Sequence, residues 1–228
     1  MARAKEITAE VYQVGGDGLS RGEDCCVYLV DGGTESALID TGAGRSASMI
    51  IDNIRATGVE LSSVKYIVVT HGHIDHIGGL AFLKEKLQAQ VIAHQLELPA
   101  IEEGLPHLTA ASWYGVTYEK VNVDQVLQGD AEKIKVGQLE LVCLHTPGHT
   151  VGGISPYVET GEKRVLFGQG IHGPFNEKWG SDLNQWELSM QKLIELEADI
   201  LCEGHFGIYS PSSAVRKRIN MIKPERCL

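Results

Sequence analysis

The chain sets short apolar runs between turn-forming clusters, and its periodicity switches between that of strands and that of helices. Ile7 to Val14, Cys25 to Val30 and Ser36 to Ile39 are β-rich stretches parted by glycine-containing turns. Asp40-Thr41-Gly42 closes the third run in a turn, and Ala47 to Thr57 then spaces its apolar residues as a helix does. Val64 to Thr70 is an apolar run between polar flanks, which predicts a strand covered on both faces. Gly79 to Leu87 returns to helical spacing, and Gln90 to Ala93 is a short strand. Residues 94–120 are less regular, with a helix expected over Gln95 to Glu103, then Pro106, then the aromatic residues Trp113, Tyr114 and Tyr118. The second half repeats the theme. Strands are expected at Leu139 to Leu144, Ile154 to Val158 and Arg164 to Phe167, followed by an amphipathic helix from Leu183 to Glu197. A strand at Asp199 to Cys202 and a basic helix at Ser212 to Ile222 complete the pattern. Strands followed by helix, twice over, predict an α+β fold of two packed sheets with helices outside. No low-complexity tract or linker divides the 228 residues, so residues 1–228 are expected to form one domain with a lid or insertion at 94–120.

Composition narrows the function classes. An apolar fraction of 43% permits a sizeable core. The net charge of −10 opposes phosphate backbones, so nucleic acid is not an expected partner. No run approaches the roughly 20 apolar residues of a membrane span, and Met1 to Glu6 lacks the apolar stretch of a secretory signal. The expectation is a cytoplasmic protein that acts on a small molecule away from membranes, with a homodimer possible. Cys25, Cys26, Cys143, Cys202 and Cys227 are odd in number and form no Cys-x-x-Cys pair. The first four lie in apolar runs, where a free cysteine behaves as a small buried hydrophobe.

Three segments carry chemistry, and each follows a strand-like run. The first is His71-Gly72-His73-Ile74-Asp75-His76. Two imidazoles two residues apart at a strand end point the same way, because side-chain direction there has period 2. Asp75 and His76 offer a carboxylate and a third imidazole beside them, and Gly78-Gly79 lets backbone pass close by. The second segment is Thr146-Pro147-Gly148-His149-Thr150, and the third is Glu203-Gly204-His205. A lone histidine at a strand end is ordinarily a satisfied polar residue. Three histidines and an aspartate within six residues would compete for too few partners unless a metal took them up. Imidazole and carboxylate are the ligands of catalytic zinc sites, which keep a position open for water.

These motifs resemble the metallo-β-lactamase superfamily. His71, His73, Asp75 and His76 stand in its His-x-His-x-Asp-His signature, and His149 and His205 match its later metal histidines. Asp40 in Ile39-Asp40-Thr41-Gly42 matches its aspartate after an early strand, so the matches run in order from residue 38 to residue 205. The resemblance implies an αββα sandwich of two mixed sheets, with one or two zinc ions at the lip between them (iron or manganese being alternatives). It implies that His71, His73 and His149 hold one metal, and Asp75, His76 and His205 the second. It points to the glyoxalase II-like hydrolase branch.

The chain departs from that family at one position. Most of these hydrolases carry a bridging aspartate between the two later histidines, where this sequence reads Phe167-Gly168-Gln169-Gly170-Ile171-His172. Gln169 or Gly170 occupies the place, and neither is a carboxylate. Two metals without the bridge, one metal, or an impaired enzyme all remain open, with His172 a candidate substitute ligand. The loss argues against the iron-dependent persulfide dioxygenases, which use this aspartate.

The expected chemistry is hydrolysis by metal-bound hydroxide, since a metal held by imidazoles brings the pKa of its water towards about 7. Asp75 is the expected catalytic residue, orienting that water and passing on its proton. Asp40 either fixes a ligand by hydrogen bonding or caps its turn. About twenty residues follow His205, too few for the helical domain that grips glutathione in glyoxalase II, so a small ester, thioester, lactone or phosphoester is the expected substrate. A metal-binding protein without catalysis is one alternative and an iron-dependent redox enzyme another. Trp113, Tyr114 and Tyr118 with His107 either cover the site or serve as a packing or dimer contact. Trp179 and Trp186 are expected in the core.

Overall fold

In the computed structural model, which describes residues 4–223, strand alternation sorts side chains between three apolar layers. The first sheet has seven strands in sequence order: β1 (Lys5–Thr8), β2 (Val11–Gly15), β3 (Val27–Asp31), β4 (Ser36–Ile39), β5 (Val64–Val68), β6 (Gln90–His94) and β7 (Gln125–Leu127). Pairing is antiparallel from β1 to β4 and parallel from β4 to β7. The second sheet has six strands: β8 (Ala131–Val136), β9 (Leu139–His145), β10 (Ile154–Thr160), β11 (Lys163–Gly168), β12 (Ile200–Glu203) and β13 (Ile208–Tyr209). They lie in the order β13-β12-β11-β10-β9-β8, with only β11 and β12 parallel. Both sheets are therefore mixed.

The helices are α1 (Ala47–Thr57), α2 (Ile74–Ile77), α3 (Leu80–Leu87), α4 (Leu98–Ile101), α5 (Pro106–Thr109), α6 (Ala111–Tyr114), α7 (Leu183–Glu195) and α8 (Ser212–Met221). On β3, Val27 and Leu29 face a cluster with Ile50 and Ile54 of α1 and Leu80 and Leu83 of α3. The intervening Tyr28 and Val30 face the second sheet, where they meet Val165 and Phe167 of β11 and Cys143 of β9. On β11 and β12 the outward residues Leu166 and Leu201 pack on Trp186 and Leu193 of α7 and Val215 of α8. Period-2 side-chain direction thus produces the αββα order of layers that the sequence predicts. Each fully buried Leu, Ile or Phe in these layers contributes about 1.5–3 kcal/mol.

The element boundaries differ from expectation in three places. The stretch Ile7 to Val14 is two strands, because the chain reverses at Ala9-Glu10 and pairs Thr8 with Val11. The helix expected over Gln95 to Glu103 is a 3-10 turn (Gln95–Glu97) running into α4, so the segment bends beneath the site. Strands β7, β8 and β13 were not anticipated. They are short or carry charged residues on an exposed face, as sheet-edge strands do. Cys25, Cys26, Cys143 and Cys202 are buried and unpaired, as expected, whereas Cys227 and Met1 to Arg3 lie outside the described residues. Among the described residues no helix is long and apolar enough to cross a membrane.

Candidate metal centre

The histidine motifs come together where the chain leaves β5, β9 and β12, four of the ligand candidates on loops and two on a short helix. The segment after β5 carries His71 and His73, then turns into α2, whose first turn holds Asp75 and His76. His149 lies on the loop between β9 and β10, and His205 on the loop after β12. Nitrogens of His71, His73 and His149 lie within 4.8 Å of one another, and so do ligand atoms of Asp75, His76 and His205. Nδ1 of His73 and Nε2 of His149 are 2.9 Å apart. One oxygen of Asp75, Oδ2, lies 3.5 Å from Nε2 of His76 and 3.3 Å from Nε2 of His205.

Burial sets the protonation of the first group. It pushes the His71 and His149 rings well below the usual histidine range, reinforced by neighbouring histidines, and brings His73 down to about 4 against the pull of Asp75. Three neutral imidazoles result, the form in which histidine binds metal. In the second group burial opposes both charges, but the pairing wins. His76 and His205 hold the Asp75 carboxyl below its usual range, while Asp75 and Asp40 raise His76. Neutral imidazoles in one set and two imidazoles around a carboxylate in the other fit a divalent metal ion at each place.

Hydrogen bonds from outside the two groups fix the ring orientations. Asp40, fully buried, takes the backbone N–H of Thr70 (2.8 Å) and the Thr70 hydroxyl (2.7 Å), and pairs with Nδ1 of His76 at 2.8 Å. That contact leaves Nε2 of His76 directed at Asp75. Of the two roles considered for Asp40, orientation of another side chain is the one its geometry displays. The Thr41 hydroxyl and N–H both donate to the His76 carbonyl, so the turn after β4 is tied to α2. A Cβ at Gly78 would lie 2.3 Å from the Ala43 oxygen, which explains the glycine pair at this crossing. The His149 loop is held by α7 and the segment leading into it: Ser189 of the helix donates to the Pro147 carbonyl, and Ser181, just before the helix, to that of His149.

Sequence reasoning missed a buried carboxylate beneath the loops. One oxygen of Glu97 accepts the N–H of Gly72, between the first two histidines, and the other accepts the N–H of Gly152, three residues past His149. Both bonds are 2.8 Å long. Burial raises the Glu97 carboxyl, and hydrogen bonds from Thr150 and these two amides oppose the rise. Gly72 is required here, since a Cβ would sit 2.4 Å from the Ala100 methyl and 2.9 Å from the Glu97 carboxylate. The only sequence signal was a glycine inside the histidine motif.

The two groups form the floor of a cavity of about 320 Å³. Trp113 and Tyr114 of the 94–120 segment line it, whereas Tyr118 donates to the Ile101 carbonyl and packs on the outer core. His107 is not among the lining residues. Trp186 is in the core as expected. Trp179 is also buried, but its ring stands edge-on to His73 with centroids 4.5 Å apart and forms cavity wall. Gln169 turns its amide nitrogen to the Cys26 carbonyl at 3.2 Å. Gln169 itself lines the cavity, whereas a Cβ at Gly170 would lie 3.6 Å from the His149 ring and 3.8 Å from His71, beside the first group alone. His172 lines the cavity, with Nδ1 donating to the Gly173 carbonyl and its ring 5.5 Å from that of His205.

A two-sheet sandwich with histidine and carboxylate clusters on its loops defines the class of the metallo-hydrolases. The family model described as the metallo-beta-lactamase superfamily matches residues 21–205, and the chain belongs to that superfamily. It is 27% identical over 186 residues to a probable metallo-hydrolase, YybB, of Bacillus subtilis, covering 78% of this chain and 79% of that one. It is 37% identical over 146 residues to a hydroxyacylglutathione hydrolase of Nitrobacter hamburgensis, covering 59% of this chain and 47% of that one. Among solved structures, a metallo-beta-lactamase from Cronobacter sakazakii superposes with a TM-score of 0.77 at 26% identity, covering 90% of this chain and 81% of that one.

Proposed function

We propose that the chain is a metal-dependent hydrolase of small esters, thioesters, lactones or phosphoesters, working with one or two zinc ions. The observation that carries this reading is the convergence of His71, His73 and His149 beside Asp75 on the floor of a cavity. His71, His73 and His149 would hold one ion, and Asp75, His76 and His205 the other. When bound, a divalent metal supplies Lewis acidity and acidifies water to a pKa near 7. The chain's own groups do the rest. Asp75, whose Oδ2 lies between the rings of His76 and His205 and is ionised at neutral pH, would orient the attacking water and accept its proton. Asp40 and Thr70 hold the rings of His76 and His71 against rotation. The relatives named as hydrolases support the reaction class.

The want of a carboxylate at both Gln169 and Gly170 favours a second reading in one respect. Without a carboxylate between the two groups, the Asp75 set holds less negative charge than a bridged site, and its affinity for an ion is lower. The test is elemental analysis of the purified chain together with hydrolysis of activated esters. At least one zinc or comparable ion per chain is expected, with activity abolished by His71→Ala. Metal below one per chain with no metal-stimulated activity would overturn the reading, as would an undiminished rate in the variant.

A further inference from the structure

Aromatic residues surround the floor of the cavity over the two groups. One side is built from Trp113 and Trp179, whose rings meet at 4.9 Å and 58°, with Tyr114 beside them. The other carries Phe206, in edge contact with His172 at 4.5 Å, and Pro174. Trp113 is 56% exposed and Phe206 58%, so two large aromatic faces stand uncovered at the mouth. Among the described residues lining the cavity there is no lysine or arginine. Arg218 lies over the Phe206 ring at 5.2 Å, but its Nε already donates to the buried Glu203 at 2.8 Å.

Anionic carrier groups such as the carboxylates of glutathione or the phosphates of coenzyme A are ordinarily gripped by paired, charge-assisted donors. This wall offers none, and a chain of net charge −10 adds a repelling field. A flat apolar ring gains from Trp113 and Trp179 both burial and the offset or edge-on contacts aromatic pairs prefer. At about 320 Å³ the cavity also sits at the small end of the usual ligand range of ~300–1,000 Å³. From these features we propose that the substrate is a small, uncharged ester or thioester bearing an aromatic group, seated against the Trp113–Trp179 wall. The proposal rests on the hydrolase reading above and specifies its substrate.

The test compares the benzoyl and acetyl thioesters of one neutral thiol, N-acetylcysteamine, with benzoyl-glutathione and benzoyl-coenzyme A, on the zinc-loaded chain. Trp113→Ala is expected to lower kcat/KM for the neutral benzoyl substrate about tenfold more than for the acetyl one, mainly through KM, and Trp113→Phe to recover most of the loss. The neutral benzoyl substrate is expected to outperform both anionic ones. Ligand-observed NMR with benzamide gives a readout independent of turnover: saturable binding in the wild type, weakened in Trp113→Ala, and none for acetamide. Equal losses on benzoyl and acetyl substrates, or preference for an anionic thioester, would overturn the proposal, as would absence of benzamide binding. Benzamide binding with no hydrolysis of any substrate would instead uphold the aromatic pocket and remove the hydrolase reading.

Discussion

At the scale of single residues, the centre depends on side chains that touch no proposed ligand atom. Glu97 satisfies two buried amides on loops from different sheets, and each such amide left without a partner costs about 1–3 kcal/mol. Glu97→Ala is therefore expected to weaken metal binding by about 10–100-fold. Glu97→Gln, which keeps one acceptor, is expected to fall between it and the wild type. Competition with a chromophoric chelator measures both, and identical affinities in all three proteins would refute the role. The histidines were readable because their spacing is itself the chemistry. Glu97 and Trp179 were not, since each acts only on residues brought near by folding, and neither stands in a local pattern. Tyr114 and Tyr118 show the same limit: four positions apart, one faces the cavity and the other the outer core.

At the scale of elements, β3, β4, β11 and β12 were legible as apolar runs, because their alternate residues face an apolar layer on either side of the sheet. Strand β8, Ala-Glu-Lys-Ile-Lys-Val, hides the same alternation behind charged residues that face solvent. The turn at Ala9-Glu10 carries no glycine or proline, so a hairpin passed for one strand. The contact of α4 with the histidine loop was equally invisible. It yields a sharp expectation: Gly72→Ala places a methyl 2.4 Å from Ala100, so either α4 or the loop must shift. Such overpacking costs about 1–3 kcal/mol, and thermal unfolding of the variant should reveal it as a lowered midpoint. An unchanged midpoint would mean that α4 yields freely.

At the scale of the whole molecule, acid should loosen the sandwich by a route separate from the proposed metal ligands. His94, at the end of β6, stacks on His145 with centroids 4.1 Å apart and an angle of 13°. Burial, then His145, brings its pKa from 6.5 down to about 4, against a weaker pull from Glu132. The unfolded chain therefore takes up this proton before the folded one does. Stability is lost as pH falls from about 6.5 towards 4 and is retained above that window. Melting curves across it should fall less steeply for His94→Phe than for the wild type, and parallel slopes would refute the assignment.

Glu97 has one more consequence, for how the rim of the centre is held. Its two hydrogen bonds join a loop of one sheet to a loop of the other through groups that are not proposed ligands. The two loops are therefore fastened to each other by the protein's own groups as well as by any ion they share. A chelator that strips the ion is expected to leave this clasp in place.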